Sequence, residues 1–179
     1  MKIIISTIAL LASFAASAQV LKTSNCSIDF FSETPLENIS AKNNAVKGAM
    51  NVQSKAIAFS VPIRSFKFEK ALMEEHFNEN YMESDKYPNG SFKGVINETI
   101  NLSKNGTFRI SATGKLNIHG VEQDRTLTGE ATVKDGVLTI TSNFKIKLVD
   151  HRIERPAILF QKIAEVIDVK LAASFPTQP

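Results

Sequence analysis

His76, His119 and His151 carry the imidazoles of this 179-residue chain, and with Glu74, Glu75 and Glu79 they are the first places to look for proton transfer or metal binding. The spacing does not favour either. The histidines lie far apart, and no His-x-His, His-Glu-x-x-His or Gly-x-Ser-x-Gly arrangement occurs. Glu75 and His76 are adjacent, so on a helix they diverge, and a solvated acidic face accounts better for the three glutamates. His119 precedes Gly120 in an expected turn, where its ring bonds to backbone groups. Cys26 is the only cysteine, so no internal disulfide forms, and with no basic neighbour to lower its pKa it reads as a small buried apolar residue. No catalytic residue and no metal ligand are expected, and the chain is not expected to be an enzyme.

The elements that would position a site are mostly strands. Alternation with a period of two is clearest from Phe108 to Ile118, where Phe108, Ile110, Ala112, Gly114, Leu116 and Ile118 share one face and polar side chains take the other. Asn105-Gly106 and Lys134-Asp135-Gly136 predict hairpin turns around this strand and between Thr126–Val133 and Val137–Val149. Phe92–Leu102, Val46–Val52, Lys55–Ile63, Ser24–Phe31, a strand from about Ile39, and Ile163–Ser174 complete a count of about eight. Eight long antiparallel strands suit a barrel that is either filled by its own side chains or hollow enough for one small ligand. Gly94, Gly114 and Gly129 inside strands mark bends or close approach. A single helix over about residues 69–84 interrupts the strands, with Met73, Phe77 and Tyr81 on one stripe and Leu72 and His76 beside it. Tyr87-Pro88-Asn89-Gly90 then turns the chain into the next strand.

Lys2, the apolar run Ile3 to Ala16 and the ending Ala16-Ser17-Ala18 predict a secretory signal peptide over residues 1–18, cut after Ala18. The apolar run is shorter than the roughly 20 residues a membrane helix needs, and nothing downstream replaces it, so stable membrane insertion is not expected. Residues 19–179 then form one domain, large enough to bury about 70% of its unfolded surface. The formal charge falls from +3 to +2 once Lys2 leaves, and the charges are interspersed. That distribution excludes nucleic acid as the expected partner and offers no polybasic patch for anionic lipid.

Two stretches, taken in order, resemble the YceI-like family. His76-Phe77, Tyr87-Pro88 and Phe92 match a helix with a His-aromatic pair, a Tyr-Pro and a Phe opening the next strand. Gly114-Lys-Leu116-Asn-Ile118-His119-Gly120-Val121, followed by a short loop and Thr126-Leu127, is similar to the family's Gly-x-Leu-Thr-Ile-His-Gly-Val stretch. Val46-Lys47-Gly48 adds a third point of similarity. The chain departs from the pattern at Ser32–Glu37, where a His-Ser pair is usual, and at Phe144–Pro156, where an acidic-aromatic-Gly segment is missing.

The resemblance implies a mainly β, lipocalin-like barrel in a bacterial periplasm, or secreted, that sequesters or transports a long isoprenoid or acyl chain. Phe108, Ile110, Leu116 and Phe144 from strands, with Met73 and Phe77 from the helix, are the expected inward, ligand-contacting set. No cofactor is required. The bound molecule would be a polyprenyl chain, a quinone-like lipid or a fatty acid derivative, and the resemblance leaves a homodimer open. A bacterial periplasm also makes the Asn-x-Ser/Thr matches at Asn25, Asn38, Asn89, Asn97, Asn101 and Asn105 unmodified residues. Periodicity does not separate a hollow barrel from a filled one, so a non-enzymatic interaction or stress-protection protein with a solid core stands as the second reading.

Overall fold

The computed structural model describes residues 19–34, 37–154 and 164–177. The expected signal peptide, residues 1–18, and Ile163, the expected start of the last strand, lie outside the described residues. Among them no helix is long and apolar enough to cross a membrane.

The strands are β1 (Val20–Lys22), β2 (Asn25–Ser32), β3 (Ile39–Asn43), β4 (Lys47–Asn51), β5 (Ala56–Pro62), β6 (Lys67–Phe68), β7 (Asn89–Ile96), β8 (Gly106–Ile118), β9 (Val121–Lys134), β10 (Val137–Lys147) and β11 (Val166–Pro176). They form one antiparallel sheet in the order β1-β4-β5-β7-β8-β9-β10-β11-β2-β3-β6. Eleven strands therefore replace the expected eight. The difference has a physical cause: three passages of chain each break in two. β1 and β2 are one passage kinked at Thr23-Ser24, where the Thr23 N–H stays on the Gly48 carbonyl at 3.0 Å while the Ser24 N–H turns to Ser174 at 2.9 Å. β3 and β4 are another, broken after the fully buried Asn43. That amide donates to the Pro62 carbonyl at 2.7 Å and accepts the Ala45 N–H at 2.8 Å, so the break leaves those backbone groups paired. β5 and β6 are separated by the 3₁₀ turn Ile63–Ser65. The first passage bonds to β4 through β1 and to β11 through β2, which curls the sheet on itself into a barrel-like shape.

The hairpin turns follow from residues that tolerate positive φ. His119-Gly120 (53° and 72°) and Asp135-Gly136 (49° and 78°) are two-residue turns with both centres left-handed, matching the twist of the flanking strands. β9 starts directly at Val121, not after a loop at Thr126. β7 ends at Ile96, not Leu102, because side chains take over the ladder beyond it: Glu98 accepts the Ser111 N–H at 2.7 Å and its hydroxyl at 2.9 Å.

The expected helix over 69–84 is shorter and changes pitch. α1 (Ala71–His76) continues as a π-helical turn, Phe77–Tyr81, closed by Met82 N–H on the Phe77 carbonyl at 2.9 Å. Asn78 Nδ2 meanwhile donates to the Glu74 carbonyl, which competes with regular helical bonding there. Met73, Phe77 and Tyr81 remain half-buried, but Leu72, expected beside the buried stripe, is 60% exposed.

Among the described residues, two apolar clusters make up the buried core. One joins Cys26, Met50, Ile57, Val133, Leu138 and Phe175 with their neighbours, and burial pushes the Cys26 thiol up to about 11, so it stays an inert thiol at neutral pH. The other surrounds Ile63, Phe66, Met82, Leu148, Ile167 and Val169 and receives Phe77 and Tyr81 from the helical segment.

Candidate functional site

Between and across these clusters lies a chamber of about 480 Å³. Its size falls within the roughly 300–1,000 Å³ typical of small-ligand pockets. The wall is built by the period-two faces of the strands: Ile110, Ala112, Leu116 and Ile118 from β8, Ile57, Phe59 and Val61 from β5, and Ile167, Val169 and Leu171 from β11. Of the residues expected from sequence, Met73, Phe77, Ile110, Leu116 and Phe144 all stand on this wall. Phe108 does not. It shares the inward face of β8, but its Cα pairs with Ala131 towards the end where Val133, Leu138 and Phe175 fill the interior, and it packs against that solid cluster.

The helical segment is held over the chamber by rings that strand alternation alone does not single out. The Phe77 centroid lies 5.0 Å from Phe68, 5.4 Å from Phe66 and 5.6 Å from Phe30, and all four rings line the chamber. Aromatic pairs at these distances contribute roughly 0.5–1.5 kcal/mol each beyond area burial. Phe66, Phe68 and Phe30 belong to the sequence-readable face pattern only once the break between β5 and β6 is known. Polar side chains are sparse on the wall. Ser142 donates to the Thr128 carbonyl at 2.7 Å, and Lys70 pairs with Glu37 at 2.6 Å beside the helix start.

His119 and His151 serve the frame, whereas His76 is exposed on the helical segment and lines the chamber. His119 Nδ1 is 3.3 Å from the His151 carbonyl and Nε2 2.8 Å from Glu83, while the ring meets Tyr87 edge-on at 4.5 Å. His151 is fully buried, its Nδ1 donating to the Val121 carbonyl at 3.2 Å and its Nε2 left without a partner. Burial first, then the Arg125 charge, lower its pKa from 6.5, against the raising influence of the Val121 bond and of Asp150. Because the folded value lies below the unfolded one, the unfolded chain takes the proton first. Stability is therefore complete above 6.5 and falls as the pH drops below it. Urea midpoints measured down that range are expected to fall less steeply for His151→Gln than for the wild type. No group of three or more His, Cys, Asp or Glu suited to a metal occurs among the described residues.

A curled antiparallel sheet around an apolar chamber, with a helical segment packed against it by aromatic rings, defines a lipocalin-like β protein. The chain belongs to the YceI-like family, whose domain model matches residues 20–175. No curated protein matches it. Among solved structures it is similar to a polyisoprenoid binding domain from Saccharophagus degradans implicated in plant cell wall breakdown, at 10% identity and a TM-score of 0.76, over 90% of this chain and 100% of that one. BcnA from Burkholderia cenocepacia gives 13% identity and 0.71, over 83% and 95% of the two chains. The YceI protein of Campylobacter jejuni gives 17% and 0.57, over 97% and 89%. These identities speak for the fold.

Proposed function

We propose that the protein binds and sequesters, or carries, a long-chain isoprenoid or acyl lipid in its chamber, in the periplasm or as a secreted protein. The observation that carries this reading is the continuous apolar wall around about 480 Å³ of open space, which a filled barrel lacks. The family membership and the polyisoprenoid-binding description of one structural relative support it. Magnitudes favour a long chain over a small hydrocarbon. Each buried methylene contributes about 0.8 kcal/mol. Association costs roughly 4–15 kcal/mol, so about ten methylenes are marginal and longer chains bind stably. Lys2 and the apolar run Ile3 to Ala16 that follows it support export, and nothing in the reading calls for a cofactor. The test is whether protein purified from a native envelope fraction carries a long-chain lipid in equimolar amount. Loss of all such lipid, with the fold intact, favours instead a protein that acts through its surface.

A further inference from the structure

The ladder between β9 and β10 stops half-way. It runs from Val137 opposite Lys134 to Ser142 opposite Gly129, and beyond that rung the pairing ends although both strands continue, β9 back to Val121 and β10 on to Lys147. The last rung is tight, since a Cβ on Gly129 would sit 2.2 Å from the Thr141 carbonyl oxygen. Past it the two edges part and are bridged by side chains alone: the Arg125 guanidinium donates to the Lys145 carbonyl at 2.9 Å and Gln123 Nε2 to the Asp150 carbonyl at 2.8 Å. Leu127 on one side of this slit, and Phe144 and Ile146 on the other, belong to the chamber wall, so the slit borders the chamber.

Arg125 is out of keeping with its position. Its Cα pairs with Gly114, and it stands between Gln123 and Leu127 on the inward-facing side of β9, opposite the apolar side of β8. Of its five N–H donors, one meets Lys145, and no carboxylate among the described residues forms an ion pair with it. The neighbouring charges are engaged elsewhere or stand apart: Lys145 pairs with Asp168, Asp124 pairs with Lys115, and Asp150 forms no ion pair with the guanidinium. By contrast, the cation beside the helix start, Lys70, is already matched by Glu37. Arg125 is not itself a wall residue, but it stands in the slit at the inward position next to the wall residue Leu127. A guanidinium with spare donors there suits a planar or tetrahedral anion, held by a forked, charge-assisted pair of bonds.

We propose that the slit between β9 and β10 is a head-group subsite, in which Arg125 receives the carboxylate or phosphate of a long-chain ligand whose hydrocarbon lies against Leu127, Phe144 and Ile146. The proposal rests on the chain-binding reading and adds the charge of the ligand and the place of its polar end. Palmitic acid is compared with hexadecanol, and geranylgeranyl phosphate with geranylgeraniol, each displacing a fluorescent acyl probe from the wild-type protein. The acid or phosphate is expected to bind about tenfold more tightly than its alcohol, a preference that shrinks as salt is added. The larger of the two ratios tells a carboxylate from a phosphate ligand. Arg125→Gln is expected to remove the preference while leaving alcohol affinity within about twofold, since only the charged contact is lost. Equal binding of acid and alcohol by the wild type overturns the subsite without any variant, as does a preference that survives in folded Arg125→Gln. If neither the acids nor the alcohols bind, the chain-binding reading itself falls and takes the subsite with it.

Discussion

Ala112→Trp is expected to reduce the affinity for a long-chain acyl probe such as cis-parinaric acid by more than about tenfold, with the protein still folded. Ala112 is half-buried on the chamber wall, between Ile110 and Gly114 along the inward face of β8. Its Cα is paired to Ile96 on one side and Leu127 on the other, so an indole there projects into the space a chain would occupy. In a solid core the added ring would cost roughly 1–3 kcal/mol through overpacking. Here it enters open volume, and the thermal midpoint is expected to hold or rise. Probe binding at wild-type strength by the folded variant would place the ligand elsewhere. Unfolding of the variant would mean that the space is far smaller than the wall suggests.

The largest stability effect is expected at Gly114. A Cβ there would lie 2.2 Å from the Lys93 carbonyl oxygen and 2.4 Å from the Gly94 Cα, both backbone atoms that cannot rotate away. Gly114→Ala forces β7 and β8 apart at the pair Gly94 and Gly114, and a loss of roughly 3 kcal/mol is expected, within the range for strained or overpacked sites. Gly90 supplies the contrast. It lines the chamber, which Gly114 does not, but a Cβ there meets nothing closer than 3.5 Å, so Gly90→Ala is expected to cost less than about 1 kcal/mol. Urea denaturation of the two variants measures both numbers, and equal stabilities would refute the close approach at Gly114.

The same glycine shows how far the sequence reading reaches. Period-two alternation located β8 and its inward face almost to the residue, because one side of that strand is apolar over its whole length. Two of the turns were readable for a similar reason: His119-Gly120 and Asp135-Gly136 combine residue types that tolerate left-handed backbone, whereas Asn105-Gly106, expected to form another, only ends the longer connection from Ile96 to β8. Strand number was not readable, since the breaks at Thr23-Ser24, after Asn43 and at Ile63–Ser65 depend on bonds to distant parts of the chain such as Ser174 and Pro62. Phe108 illustrates a related limit. It has the same periodicity as Ile110 and Leu116, and only the position of Val133, Leu138 and Phe175 along the barrel axis decides that its end is filled. The ring cluster of Phe30, Phe66, Phe68 and Phe77 arises from three separate segments, so linear spacing carried no signal for it. Arg125 carried a weak one, a charge at an inward position of a strand, which becomes informative once the ladder beside it is seen to end.

Mass spectrometry of the protein purified from its native envelope without detergent or organic wash, recorded under native and then denaturing conditions, bears most directly on the hollow interior. The expected result is a native mass exceeding the polypeptide by one long-chain lipid, lost on denaturation and absent from Ala112→Trp. A native mass equal to that of the bare chain, together with failure to take up any long-chain probe afterwards, would contradict it.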